Sequence, residues 1–135
     1  MAGYLIDSHI FLWASESPAK LLRAERDVLI DRRFDVAVSV ASIWELSIKA
    51  ATGRLAIPGR KHPIPASHFS RSAASMGISV LPVEAAEAEY VRQLPRIHGD
   101  PFDRMLIAQA LLGGRILVTR DAVFSRYPGA QVFQP

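Results

Sequence analysis

A single α/β domain, with a central parallel sheet covered by helices on both faces, is what this sequence predicts. Three observations carry that prediction. The chain has 135 residues, a usual size for one domain, and 50% of them are hydrophobic, enough for one continuous core spanning residues 1–135. Short apolar runs alternate with helix-like stretches, the pattern of parallel strands joined by crossover helices. Right-handed crossovers bring the carboxyl ends of all strands to one edge, and four acidic residues, Asp7, Glu45, Asp103 and Asp121, stand where apolar runs end or helices begin.

The first strand is Tyr4-Leu5-Ile6, closed by Asp7. His9 reads as the start of a helix and Trp13 as part of an apolar helical pattern, but the first full helix is expected within Ser17–Arg32. Val36–Val38 forms the next strand, followed by a helix within Ser42–Ala51. Leu55–Pro65, broken by Pro58, Gly59, Pro63 and Pro65, reads as a surface loop whose Arg60-Lys61 pair suits a phosphate backbone. Helices within Ala66–Met76 and Val83–Leu94 flank a strand at Ser79–Leu81. The last helix, Pro101–Leu112, stops at Gly113-Gly114 and leads into the strand Arg115–Thr119, so Asp103 and Asp121 are expected near one another. Gln131–Phe133 is a weaker strand candidate.

Composition limits the chemistry. With no cysteine, disulfides and thiolate zinc sites are excluded, and any metal must be held by oxygen or imidazole. No basic leader precedes Asp7 and no apolar run approaches the roughly 20 residues that span a bilayer, so a soluble, cytoplasmic protein without membrane contact is expected. A net charge of +3 beside an acidic crevice puts the basic residues elsewhere on the surface, which suits a polyanionic partner as well as plain solubility.

Each carboxylate also has a structural reading. Asp100 can cap the helix that begins at Pro101, and Asp103 falls in its first turn, beside the positive end of the helix dipole. Ser42-x-x-Glu45 matches a capping box, and Glu45 precedes Lys49 by four residues, as in a helical ion pair. If that helix instead starts at Ser39, Glu45 belongs to its second turn and can face the crevice. Asp7 can cap through Asp7-Ser8, and Asp121 can cap Ala122–Arg126. Four acids at one sheet edge nevertheless favour a functional role, because like charges so close repel and take up protons unless a cation joins them. Oxygen donors without thiolates suit Mg²⁺ or Mn²⁺, which can acidify a bound water and stabilise charge on a phosphate. Ser8, Ser39 and Thr119 neighbour the acids and could orient them. Of the histidines, His9, His62, His68 and His98, none forms a zinc-like close pair, and His98 is the best placed to meet a substrate. Trp13 and Trp44 read as core residues rather than base-stacking platforms.

The segments Tyr-Leu-Ile-Asp7-Ser-His, Ser39-Val-Ala-Ser-Ile-Trp-Glu45-Leu, His98-Gly-Asp-Pro-Phe-Asp103-Arg-Met-Leu-Ile-Ala-Gln-Ala and Leu-Val-Thr119-Arg-Asp121 resemble the PIN domain, in particular the VapC-type toxins of type II toxin–antitoxin systems. The likeness runs over nearly the whole chain. It implies a three-layer α/β/α sandwich in which Asp7, Glu45, Asp103 and Asp121 occupy the acidic quartet that binds Mg²⁺ or Mn²⁺ and activates water for RNA cleavage. It also implies a small VapB-like antitoxin and a homodimer. Two other classes stay open: a phosphatase or DNA nuclease using the same acids, and a non-enzymatic receiver-like signalling module. The latter lacks its paired acids at the first strand.

Overall fold

A computed structural model describes residues 3–55, 57 and 63–135. Its sheet contains β1 (Tyr4–Ile6), β2 (Val36–Ser39), β3 (Ser79–Leu81) and β4 (Ile116–Val118), all parallel, in the order β3-β2-β1-β4. Tyr4 pairs with Val36 on one side and Ile116 on the other, and Ile6 with Val38 and Val118, so β1 and β4 end level and β2 runs one residue further, to Ser39. Side chains alternate across this sheet as strand geometry requires. Ile6, Val36, Val38 and Val118 join one core with Ile10, Phe11, Val28, Leu46 and Phe69. Leu5, Ala37 and Leu117 join a second with Leu106, Ile107, Phe124 and Tyr127. Two cores on opposite faces make the expected three-layer α/β/α sandwich.

Six α-helices are present among the described residues: α1 (Ser8–Glu16), α2 (Arg23–Ile30), α3 (Val40–Ala51), α4 (His68–Ser75), α5 (Ala85–Tyr90) and α6 (Pro101–Gly113). The sequence reading lists five, and the difference lies at the amino end. Asp7 caps α1 directly after β1, and Ile10 and Phe11 bury its inner face completely. Pro18 ends it, because the residue before a proline is driven out of helical geometry, and Ser17 adopts φ −149°. The single helix expected within Ser17–Arg32 is therefore a 3-10 turn, Pro18–Lys20, followed by the shorter α2.

At α3 the cap is Ser39, whose hydroxyl accepts from Ala41 N–H at 3.0 Å, and not Ser42. The Ser42–Glu45 capping box does not form. Ser42 Oγ is instead buried without a hydrogen-bond partner in the described structure. Gly114 adopts φ +64° and terminates α6 as the glycine pair predicts, its N–H donating to Ala110 O. The weak strand at Gln131–Phe133 reduces to one parallel bridge, Leu117 to Val132, held by two backbone hydrogen bonds of 2.8 Å at the edge of β4. Arg60, Lys61 and His62 lie outside the described residues, and with them most of the expected loop. No helix among the described residues is long and apolar enough to cross a membrane.

Candidate active site

The sheet edge where β1, β2 and β4 end collects the four acids, because β1 passes directly into Asp7, β2 into α3 with Glu45, and β4 into Thr119–Asp121. Helix α6 leads into the amino end of β4, so its own first turn, carrying Asp103, returns to the same edge.

Asp7 is 6% exposed. Its Oδ1 accepts from Ile10 N–H at 2.8 Å and its Oδ2 from Thr119 Oγ1 at 2.6 Å. Thr119 in turn accepts from Asp121 N–H at 3.0 Å, so one hydroxyl connects the two acids. Burial is the largest influence on Asp7 and holds its carboxyl above the ordinary range; the Ile10 and Thr119 hydrogen bonds and His9 oppose this, and repulsion from Asp121 adds to it. Asp121 also caps the 3-10 turn Ala122–Arg126 through Val123 N–H at 3.0 Å.

Glu45 sits in the second turn of α3, the alternative left open by the sequence, with Lys49 Nζ 3.4 Å from Oε2. Such a pair contributes only about 0.2–0.5 kcal/mol, so it can yield to a stronger cation. Asp100 caps α6, accepting from Phe102 N–H at 2.9 Å and Asp103 N–H at 3.1 Å. Capping and site roles thus separate within this tetrapeptide: Asp100 takes the cap and leaves the Asp103 carboxyl free for other partners. Asp103 is pushed up to about 6, first by burial, then by Asp100 and Glu45, against a hydrogen bond from His98. Glu45 repels Asp103, though less than Asp100 does, while Asp121 repels Asp7. Two repelling pairs are thus defined by their effect on one another, Asp7 with Asp121 and Glu45 with Asp103.

As the side chains stand, no group of three or more Asp, Glu or His among the described residues could hold one ion. The donor chemistry fits a hard cation all the same. All four groups offer oxygen, one is buried, each pair is self-repelling, and Mg²⁺ keeps several waters while bound by one or two carboxylates. Asp7 with Asp121, or Glu45 with Asp103, would supply those.

His98, the histidine expected to be best placed to meet a substrate, is engaged at both ring nitrogens. Its Nε2 lies 3.2 Å from Asp103 Oδ2 and its Nδ1 2.7 Å from Tyr127 Oη. Trp13 packs partly buried against the core, with the Arg120 guanidinium 4.4 Å over its ring. Trp44 corrects the expectation of a core residue: it is 62% exposed, beside Glu45, its ring 5.2 Å from that of Phe102 beside Asp103. Its helical period is right, but its face of α3 points away from both cores. Of the three residues expected to orient the acids, Thr119 binds Asp7, while Ser39 caps α3 and Ser8 is buried at the start of α1. Sequence reading missed Tyr127, Arg104 and the Arg120–Glu25 pair. Arg120 donates to Glu25 at 3.0 and 2.6 Å, fastening the Asp121 loop to α2. Partners 95 residues apart leave no local signal.

The PIN domain family model matches residues 4–130, and the chain belongs to that family. It is 32% identical over 123 residues to Ribonuclease VapC22 of Mycobacterium tuberculosis strain H37Rv, covering 90% of this chain and 88% of that protein. Its fold matches VapBC2 of Rickettsia felis, solved bound to a promoter DNA fragment, with TM-score 0.71, 14% identity and 96% of each chain covered. DNA-bound VapBC of Salmonella typhimurium matches with TM-score 0.64 and 20% identity over 98% of each chain. FitAcB of Neisseria gonorrhoeae matches with TM-score 0.64 and 21% identity over 98% of this chain and 97% of that one.

Proposed function

We propose that this PIN-domain protein is a Mg²⁺- or Mn²⁺-dependent endoribonuclease, the toxin of a VapBC-type pair, working in the cytoplasm. The observation that carries the reading is the arrangement of Asp7 with Asp121 and Glu45 with Asp103 at one sheet edge, where the acids of each pair repel one another and the Glu45–Lys49 ion pair is weak enough to yield to a stronger cation. Kinship with a protein named as a ribonuclease favours RNA over other phosphate esters. Asp7, Glu45, Asp103 and Asp121 are the metal ligands in this reading. An ion held there would acidify a water and balance charge developing on the phosphate.

The protein's own residues prepare that chemistry. The Thr119 hydroxyl fixes Asp7 and the loop of Asp121 relative to each other, while His98 fixes one oxygen of Asp103. Lys49 neutralises Glu45 in the metal-free protein and can release it. Trp44, supported by Phe102, offers an exposed face on which an unpaired base could stack, which favours single-stranded segments of RNA. Complexes of toxin with antitoxin among the fold neighbours support a small VapB-like antitoxin as partner, and a homodimer is part of the same proposal. A basic side chain of that antitoxin entering between the carboxylates would compete with the metal.

The test is cleavage of RNA by purified protein with Mg²⁺ or Mn²⁺, alongside EDTA, Asp103→Asn, a DNA of the same sequence and a simple phosphate monoester. Cleavage confined to RNA and abolished by chelation is expected. Activity that survives exhaustive chelation defeats the metal role. Hydrolysis of the monoester or of DNA in place of RNA moves the protein to the phosphatase or DNA nuclease reading.

A further inference from the structure

Behind Asp103 runs a chain of hydrogen bonds with one consistent direction. Arg104, the next residue on α6, donates from one terminal nitrogen to Pro95 O at 2.9 Å and Tyr127 Oη at 3.1 Å. Its other terminal nitrogen reaches Val91 O at 3.2 Å. A guanidinium can only donate, so Tyr127 Oη accepts from it. Tyr127 is 2% exposed. Its one hydroxyl proton has an acceptor at 2.7 Å, Nδ1 of His98. A neutral imidazole that accepts at Nδ1 carries its proton on Nε2, and Nε2 faces Asp103 Oδ2 at 3.2 Å. The opposite tautomer would set a nitrogen lone pair against the carboxylate lone pairs. Among the described residues Asp103 Oδ1 accepts no hydrogen bond, so this chain occupies one oxygen and leaves the other to an ion or its water.

We propose that Tyr127, held by Arg104, is a positioning residue that fixes His98 as the Nε2–H tautomer and thereby the direction of the Asp103 carboxylate. Neither residue touches the reacting atoms. The geometry stands on its own, but its consequence for catalysis rests on the ribonuclease reading. Tyr127→Phe removes only the hydroxyl and keeps the buried ring. His98→Gln is the companion variant, since its amide N–H can reach Asp103 without depending on Tyr127.

The measurements are long-range ¹H–¹⁵N spectra of the imidazoles in metal-free protein in mildly alkaline buffer, Mn²⁺ affinity by calorimetry, and kcat and KM on RNA. The wild-type protein should show His98 with Nδ1 unprotonated. Tyr127→Phe should mix the two tautomers, weaken Mn²⁺ binding about tenfold, as loss of an outer-shell partner does, and lower kcat with KM little changed. Adding Tyr127→Phe to His98→Gln should have little further effect, because the hydroxyl acts through the imidazole. An Nδ1–H tautomer in the wild-type spectrum overturns the proposal whatever the variants do. So does a folded Tyr127→Phe protein with the wild-type spectrum and Mn²⁺ affinity. A wild-type protein that neither binds Mn²⁺ nor cuts RNA defeats the ribonuclease reading instead, and leaves the tautomer result standing.

Discussion

Replacing Asp7 by Asn should separate its structural role from its functional one, because the two draw on different properties of the side chain. As the cap of α1, Asp7 needs only an oxygen that accepts from Ile10 N–H, which the amide retains. Thr119 Oγ1 can accept from the new amide N–H while still accepting from Asp121 N–H, since a hydroxyl has two lone pairs. As a ligand in the proposed metal site, however, Asp7 needs its charge. Burial raises its carboxyl above the ordinary 3.8, so in metal-free protein the ionised form is a burden on the fold. The sign follows from linkage: the favourable contribution is complete below the unfolded value and is lost as pH rises through the folded one. In EDTA at neutral pH, Asp7→Asn should therefore be at least as stable as wild type, and that part of the pH dependence should disappear. Asp7→Ala loses the cap and should cost about 0.5–2 kcal/mol, or about 4 °C in Tm per kcal/mol for a domain of this size. Thermal and urea unfolding in EDTA from mildly acidic to mildly alkaline pH, with Mn²⁺ calorimetry and RNA cleavage, supply the assay. Both variants should lose metal binding and most activity. An Asn variant destabilised as much as the Ala variant, or one that keeps full activity, refutes the reasoning.

Other perturbations test separate parts of the site. Because Asp103 is pushed up to about 6, Mn²⁺ affinity should fall about tenfold per pH unit below that value as a proton competes for the carboxylate, while a flat profile by calorimetry would count against Asp103 as a ligand. Its effect on metal-free stability has the same sign as that of Asp7: present below the ordinary 3.8 and lost as pH rises through about 6. Trp44→Ala should raise KM for single-stranded RNA by a factor matching about 1–3 kcal/mol of stacking and leave stability within about 0.5 kcal/mol; an altered sedimentation coefficient with unchanged KM would assign Trp44 to a protein interface. Arg120→Ala strands Glu25, which is 2% exposed, and should cost about 1–3 kcal/mol, below the range for a fully buried pair because the arginine side chain is 37% open to water. Glu25 is held below its ordinary value, chiefly by Arg120, so this contribution is present above the ordinary 4.5 and lost as pH falls through the lower folded value; urea midpoints across acidic pH will show it.

The sequence by itself determined the layered α/β architecture and the edge on which the candidate site lies. Strand alternation is local, with Leu5 facing one core and Ile6 the other, and turn signals such as Gly114 act within a few residues. The four acids were legible for the same reason, since each follows or opens an element that its own neighbours specify. Helix boundaries were less legible: Ser39 and Ser42 both offer a capping hydroxyl, and only the end of β2 decided for Ser39. Which acids pair, which way Trp44 faces, and that His98 serves Asp103 were decided by tertiary structure alone. Those outcomes depend on the packing of α3 against α6 and on the return of Tyr127 to a residue 29 positions earlier. Distance along the chain carries no information about such contacts until the sheet has brought its connections to one edge.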